Sequence, residues 1–238
     1  MQEPVIVQRS GSRGVTRLSW LTSYHSFSFG GYVHPKWHGF GTLAVVNDDE
    51  IGGGGGFSPH PHNDMEIITI IISGELRHED SLGNHCVLKK GDVQIMSAGT
   101  GIVHAEYNND PHIPLNLLQI WIEPNETGVV PRHQERHFPY FEESNIMYEV
   151  AAPTTANNGF EIHQNAYVYV GTYDAQKVLS YKLHNERNGV FAFVIEGEVL
   201  VDANRLHARD SVHIEGLPGV SINFQQKTTL LLMEVPLS

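Results

Sequence analysis

The feature that most constrains the fold of this chain is a rhythm of short apolar, β-branched runs broken by turn residues. Residues 43–46, 67–72, 115–122, 167–170, 190–195 and 230–235 are such runs, and clusters of Gly, Asn, Asp or Pro separate most of them. Runs of this length and composition, punctuated in this way, are the pattern of an all-β sandwich or barrel. No sustained 3.6-residue period competes with it, so any helix is expected to be short, near 139–144 or 174–178.

The pattern also repeats. The first half reads Ile71-Ile72-Ser73-Gly74-Glu75-Leu76 and later Lys90-Gly91-Asp92-Val93-Gln94-Ile95. The second reads Val194-Ile195-Glu196-Gly197-Glu198-Val199 and later Ala208-Arg209-Asp210-Ser211-Val212-His213-Ile214. Each half closes on an apolar strand. A chain of 238 residues has room for two modest domains at roughly 100–200 residues each. Two copies of one β unit are therefore expected, with the boundary in the polar stretch 132–144. This divides the chain into residues 1–138 and 139–238.

Charge narrows the partners. The formal net charge is −12. Such a chain lacks the Lys/Arg footprint that phosphate backbones require and is repelled by anionic membrane surfaces. Small molecules and proteins are expected as partners; nucleic acid and membrane are not. The single cysteine, Cys86, excludes an internal disulfide, so folding does not depend on an oxidising compartment. Its apolar neighbours mark it as a plain core or surface thiol. The start of the chain lacks a basic segment followed by an apolar run, and no stretch approaches ~20 apolar residues. The cytoplasm is the expected location, for a soluble chain.

The glycines at 52–56 are followed by neither a helix nor a suitably placed lysine, so they do not form a phosphate cradle. A mobile loop is expected there, able to act as a gate because glycine tolerates large backbone changes.

Chemistry concentrates in two short pairs. His60-Pro61-His62 stands at the mouth of the longest apolar strand. Residues i and i+2 of a strand share a face, so both imidazoles can converge on one ion. His104-Ala105-Glu106 offers an imidazole and a carboxylate at the same spacing. Three neutral imidazoles and a carboxylate suit Fe, Mn, Ni, Cu or Zn. Eleven of the 15 histidines, among them His78, His133 and His213, show no partner pattern and are expected to be solvated or singly hydrogen-bonded. Strand parity also places Glu66 on the face of His62, leaving two carboxylates available to the ion.

These segments resemble the two cupin motifs. The first runs Gly54, five residues, His60-x-His62, three residues, Glu66, with Gly74 one residue late. The second runs Gly91, Gly99, His104, Asn108, with Ser97 where the motif favours proline and His104 two residues late. Within the cupins, the chain resembles the pirins and their bacterial relatives. The resemblance rests on His25-Ser26-Phe27-Ser28-Phe29, His60-Pro61-His62, His78-Glu79-Asp80, Met96 through Glu106, and Leu118-Gln119-Ile120-Trp121-Ile122. As a set these are highly specific over residues 20–122.

The resemblance implies a bicupin of two tandem jelly-roll β-barrels. Residues 1–138 would form an N-terminal barrel with the metal site, and residues 139–238 a C-terminal cupin-like barrel without metal. It implies His60, His62, His104 and Glu106 as ligands, Glu106 in preference to Glu66. One divalent transition metal is expected, Fe(II) first, with Mn, Ni, Cu, Zn or Co as alternatives. Four protein ligands on a six-coordinate ion leave two positions, as an oxygenase needs. The implied activity is flavonol 2,4-dioxygenase (quercetinase) chemistry, in which dioxygen opens the heterocycle of quercetin or a similar flavonol. Glu106 can also accept the substrate hydroxyl proton. Glu66, Gln119, Phe57 and Met65 are candidates for supporting the ligands or lining the pocket, with Phe40, Leu43 and Trp121 as further apolar candidates. The alternative reading is a redox-sensing regulatory metalloprotein that binds a protein partner.

Overall fold

The computed structural model describes residues 4–155 and 159–237. The first half contributes β1 (Val5–Gln8), β2 (Gly14–Arg17), β3 (Leu21–His25), β4 (Leu43–Ile51), β5 (Gly56–His62), β6 (Glu66–Ser73), β7 (Glu75–Asp80), β8 (His85–Lys89), β9 (Asp92–Ser97), β10 (Ile102–Asn108), β11 (Leu115–Ile122) and β12 (Arg132–His137). The second contributes β13 (Ile146–Ala152), β14 (Phe160–Glu161), β15 (Tyr167–Tyr173), β16 (Val178–Lys182), β17 (Asn188–Glu196), β18 (Glu198–Val201), β19 (Asn204–His207), β20 (Ser211–Ile214), β21 (Gly219–Phe224) and β22 (Thr228–Pro236). Among the described residues the one helical element is a 3-10 turn at Ser10–Ser12. The segments expected as short helices are isolated turns. The N–H groups of Glu142 and Glu143 both reach the Pro139 carbonyl, and that of Lys177 reaches Asp174. A lone turn fixes several dihedrals for little bonding and does not propagate without packing to extend it.

Each unit has one seven-stranded and one four-stranded sheet. The first has the orders β12-β9-β6-β11-β4-β3-β2 and β5-β10-β7-β8. The second has β1-β20-β17-β22-β15-β13-β14 and β16-β21-β18-β19. No strand pair among the described residues joins the two sheets of a unit, so each is an open cupin-type sandwich and not a closed barrel. The first strand crosses between units: β1 adds to the edge of the second unit's large sheet, Val5 opposite Ile214 through Gln8 opposite Ser211.

The two seven-stranded sheets pack on each other, and the largest apolar core lies between the units. Along β6, Ile68, Ile70 and Ile72 enter this shared core, where they meet residues such as Val150, Phe191, Phe193 and Met233. Their neighbours Ile67, Thr69 and Ile71 face the interior of their own unit. A strand buried on both faces reads as an unbroken apolar run and not as an alternation, which is the pattern at 67–72. Arg209 reaches across to Asp48 at 2.7 Å, and Asp48 also pairs with Arg13 at 3.1 Å.

Candidate metal centre

Strands β5 and β10 are antiparallel neighbours, and their register brings the histidines together. His104 lies opposite His60, and Ile102 lies opposite His62. The ladder slips between His104 and Glu106, so that Glu106 pairs with Phe57. The extra residue falls on β5 around Pro59, which has no N–H to give the ladder, and such bulges re-aim nearby side chains. The ring centroids of His60, His62 and His104 are 4.9, 4.4 and 5.0 Å apart, and their ligating nitrogens lie within 4.8 Å of one another. His60 Nδ1 donates to the Ser58 carbonyl at 2.8 Å, which leaves Nε2 free to act as a ligand.

Glu106 lies within the same reach of His104 and His78. Its carboxylate is gripped on both oxygens: Gln94 Nε2 donates to Oε1 at 2.7 Å and Gln119 Nε2 to Oε2 at 2.9 Å. Thr69 ties the two amides together, donating to Gln119 Oε1 at 2.9 Å and accepting from Gln94 at 3.2 Å.

The donor set fits a transition metal. Burial, with His60 beside it, lowers His62 to about 4. Burial and the neighbouring imidazoles lower His104 to about 2. Both rings are therefore neutral at physiological pH, the form in which an imidazole can bind a metal. Burial and the nearby Asp49 raise Glu106 to about 7 against the pull of its hydrogen bonds. Both nitrogens of His104 are buried without a partner among the described residues. An unmet buried imidazole is costly, and an ion shared with His60 and His62 would satisfy one of those nitrogens.

The three histidines and Glu106 line a cavity of about 610 Å³. Gln119, Phe57 and Trp121 line it too, together with Trp20, Phe29 and Asp49. Met65 packs instead with Ile67, Met96, Ala98 and Ile102, while Phe40 and Leu43 belong to the shared core. Glu66 also points away from the cavity. It accepts from Ser97 at 2.7 Å and from the backbone of His163, on the side of the second unit. Strand parity fails to relate it to His62 because a turn separates the two: His62 ends β5, in the small sheet, and Glu66 begins β6, in the large one. Of the glycines at 52–56, Gly53 and Gly54 form an exposed turn and Gly56 opens β5, and two of them are closely approached by backbone. A Cβ on Gly53 would collide with the Pro111 carbonyl at 2.1 Å, and one on Gly56 with the Glu106 carbonyl at 2.3 Å.

Several contributing residues lie outside the two histidine pairs. Thr69 and Gln94 are polar interruptions at inward positions of apolar strands, and that interruption is their sequence signal. His78 is fully buried, 3.2 Å from Asp80, with its ring stacked on His133 at 4.4 Å and 8°. Parallel stacked rings cannot both hold one ion in their planes, so this pair is not a second imidazole clamp. His213 is also buried, among Phe27, Trp37, Phe40 and Phe191, and its Nε2 has no partner among the described residues. It is thus neither solvated nor paired through that atom, because its strand lies under the shared core.

Two stacked cupin units, one with a histidine-rich centre open to a cavity, define a bicupin. Residues 7–122 match the Pirin family and residues 149–235 the quercetinase C-terminal cupin domain. The quercetin 2,3-dioxygenase of Escherichia coli K12 is 35% identical over 98% of this chain and 99% of its own length. A putative quercetin 2,3-dioxygenase of Pseudomonas aeruginosa is 39% identical over 93% of this chain and 95% of its own. The crystal structure of the E. coli bacterial pirin YhhW in complex with nickel(II) superposes with a TM-score of 0.93 at 34% identity, covering 98% of this chain and 100% of that one. The chain belongs to the pirin family.

Proposed function

We propose that this protein is a metal-dependent dioxygenase that opens the heterocyclic ring of flavonols such as quercetin, with Fe(II) held by His60, His62, His104 and Glu106. The observation that carries the reading is His104: a buried imidazole with two unmet nitrogens, beside two more imidazoles, in a cavity walled by aromatic rings. The names carried by the E. coli and Pseudomonas relatives support it. When bound, the metal supplies Lewis acidity toward a substrate oxygen and one-electron exchange with dioxygen.

The chain's own residues do the rest. Trp20 meets Phe57 edge-on at 5.2 Å and Phe29 meets Trp121 at 5.5 Å, so the two pairs present aromatic walls suited to a flat ring system. Those walls also exclude water from the reacting atoms. Glu106, fixed by Gln94 and Gln119 and raised toward neutrality, accepts the proton of the substrate hydroxyl.

The relatives are named 2,3-dioxygenases, whereas the sequence resemblance implied 2,4-cleavage. In the proposed reaction the two oxygen atoms of dioxygen add at C2 and C4 of the heterocycle and C3 leaves as carbon monoxide. The test is anaerobic loading with Fe(II), then quercetin and air, following flavonol absorbance and carbon monoxide together. Iron-dependent bleaching with release of carbon monoxide, both abolished in His62→Ala, is expected. Stoichiometric iron without bleaching would overturn the enzymatic reading.

A further inference from the structure

Part of the cavity's polar lining is not used by the metal centre. Ser23 and His25 on β3, and Asn47 and Asp49 on β4, line the cavity and are each at most 3% exposed. Among the described residues, none hydrogen-bonds His60, His62, His104 or Glu106. They bond one another instead. The Ser23 hydroxyl donates to Asp49 Oδ1. His25 Nδ1 donates to Asn47 Oδ1 at 2.8 Å, and its Nε2 accepts from Thr16 at 2.9 Å. Once these bonds are made, the second oxygen of Asp49 and the amide nitrogen of Asn47 have no protein partner among the described residues. They are an acceptor and a donor two residues apart on one strand face, side by side in the cavity wall. Strand register puts Tyr169 and Gly171 at the matching positions of the second unit, where no such pair exists.

We propose that Asp49 and Asn47, braced by Ser23 and His25, form a hydroxyl-binding subsite for an aromatic ligand lying in the cavity, on the wall formed by β3 and β4. A phenolic hydroxyl can donate to Asp49 while accepting from the Asn47 amide, which satisfies both groups at once. A site built to pair a hydroxyl discriminates strongly against a ligand lacking it, because its buried groups are then left unmet. The subsite rests on the flavonol reading for what occupies the cavity, and it makes ring hydroxylation the feature by which ligands are sorted.

Trp20 and Trp121 line the cavity, so quenching of tryptophan fluorescence reports occupancy. The experiment uses metal-stripped protein with two flavones that lack the 3-hydroxyl, one unsubstituted and one carrying hydroxyls on both outer rings. The hydroxylated flavone is expected to bind at least about tenfold more tightly. In Asp49→Leu the two affinities should converge to within about twofold, and Asn47→Leu, a second and independent variant, should narrow the gap in the same direction. Metal uptake at the histidine centre checks that each variant is folded. Equal binding of both flavones by the unaltered protein, or a gap preserved in both folded variants, would overturn the subsite. Turnover of flavonols by the iron-loaded protein is scored separately. Discrimination without turnover removes the enzymatic reading and keeps the subsite; turnover without discrimination does the reverse.

Discussion

The two units share one strand order and differ in what they enclose. Matching strands by order and by the turn glycines Gly74 and Gly197 sets Val220 and Ile222 where His104 and Glu106 stand. Tyr181 and Leu183 then occupy the places of His60 and His62. Ala192, Val212 and Leu232 likewise replace Thr69, Gln94 and Gln119. The second interior is filled by Ala, Val, Leu, Ile, Phe and Tyr side chains, apart from the buried Glu234, which is bonded to Tyr181. The first is a polar belt running across its large sheet. One backbone therefore accepts either filling, and the polar one is stable only to the extent that its groups are met.

The sharpest way to break this comparison is to remove the residue that most needs an ion. His104→Ala is expected to strip the protein of stoichiometric metal, an effect beyond the roughly 100-fold that a lost supporting hydrogen bond produces. Val220→Ala, its counterpart, should lower stability by up to about 2 kcal/mol and leave metal content unchanged. Elemental analysis beside thermal unfolding reads both. Full metal content in His104→Ala would show that the ion, if any, is held elsewhere.

A second contrast comes from one buried carboxylate in each unit. Glu106 is raised from 4.5 to about 7, chiefly by burial. Below about pH 4.5 its contribution to stability is fully present, and it is lost as pH rises through 7, because the folded state keeps a proton that the unfolded chain has released. Glu106→Gln should therefore gain on the unaltered metal-free protein by about 3 kcal/mol between pH 4 and pH 8. Glu234 has the opposite sign. Burial opposes its charge, but bonds from Tyr181 at 2.6 Å, from the His184 backbone and from Asn188 hold it below its ordinary value of 4.5. Its contribution is present above 4.5 and lost as pH falls through the lowered value. Glu234→Gln should be most destabilised at neutral pH, with the gap closing in acid. Parallel pH profiles for the two variants would refute the assignment of their environments.

Much of this was legible in the chain, for identifiable reasons. The strands at 67–72 and 115–122 announce themselves because both faces are buried, so every residue is apolar and the run is long. The histidine pairs are legible because i and i+2 share a face within one strand. Glu66 shows the limit of that rule, since parity ends where a turn carries the chain into another sheet. The placement of β1 on the second unit left no trace in its own sequence, because a four-residue strand carries too short a pattern to say which sheet edge it joins. Asn47, Asp49, Thr69 and Gln94 were individually visible as polar residues in apolar runs, but their common level across adjacent strands depends on register, which only the fold supplies.

The smallest expected effect tests whether the belt tunes the metal or merely fills the interior. Gln119 holds Oε2 of Glu106 at 2.9 Å, and the second unit has Leu232 in its place. Gln119→Leu keeps the packing volume close to that of the original and removes one of the two amides that orient the carboxylate. Metal affinity should fall by about 10–100-fold, the usual loss when a ligand's supporting bond is removed. Glu66→Gln is the matched control. It alters an equally buried carboxylate on the face toward the second unit, so affinity should not change. The two results together separate the faces of one sheet. A loss confined to Gln119→Leu places the ion-directed chemistry on the inward face. Equal losses in both would mean that the carboxylates act through the stability of the unit as a whole, and Glu106 would then have no stronger claim to the ion than Glu66.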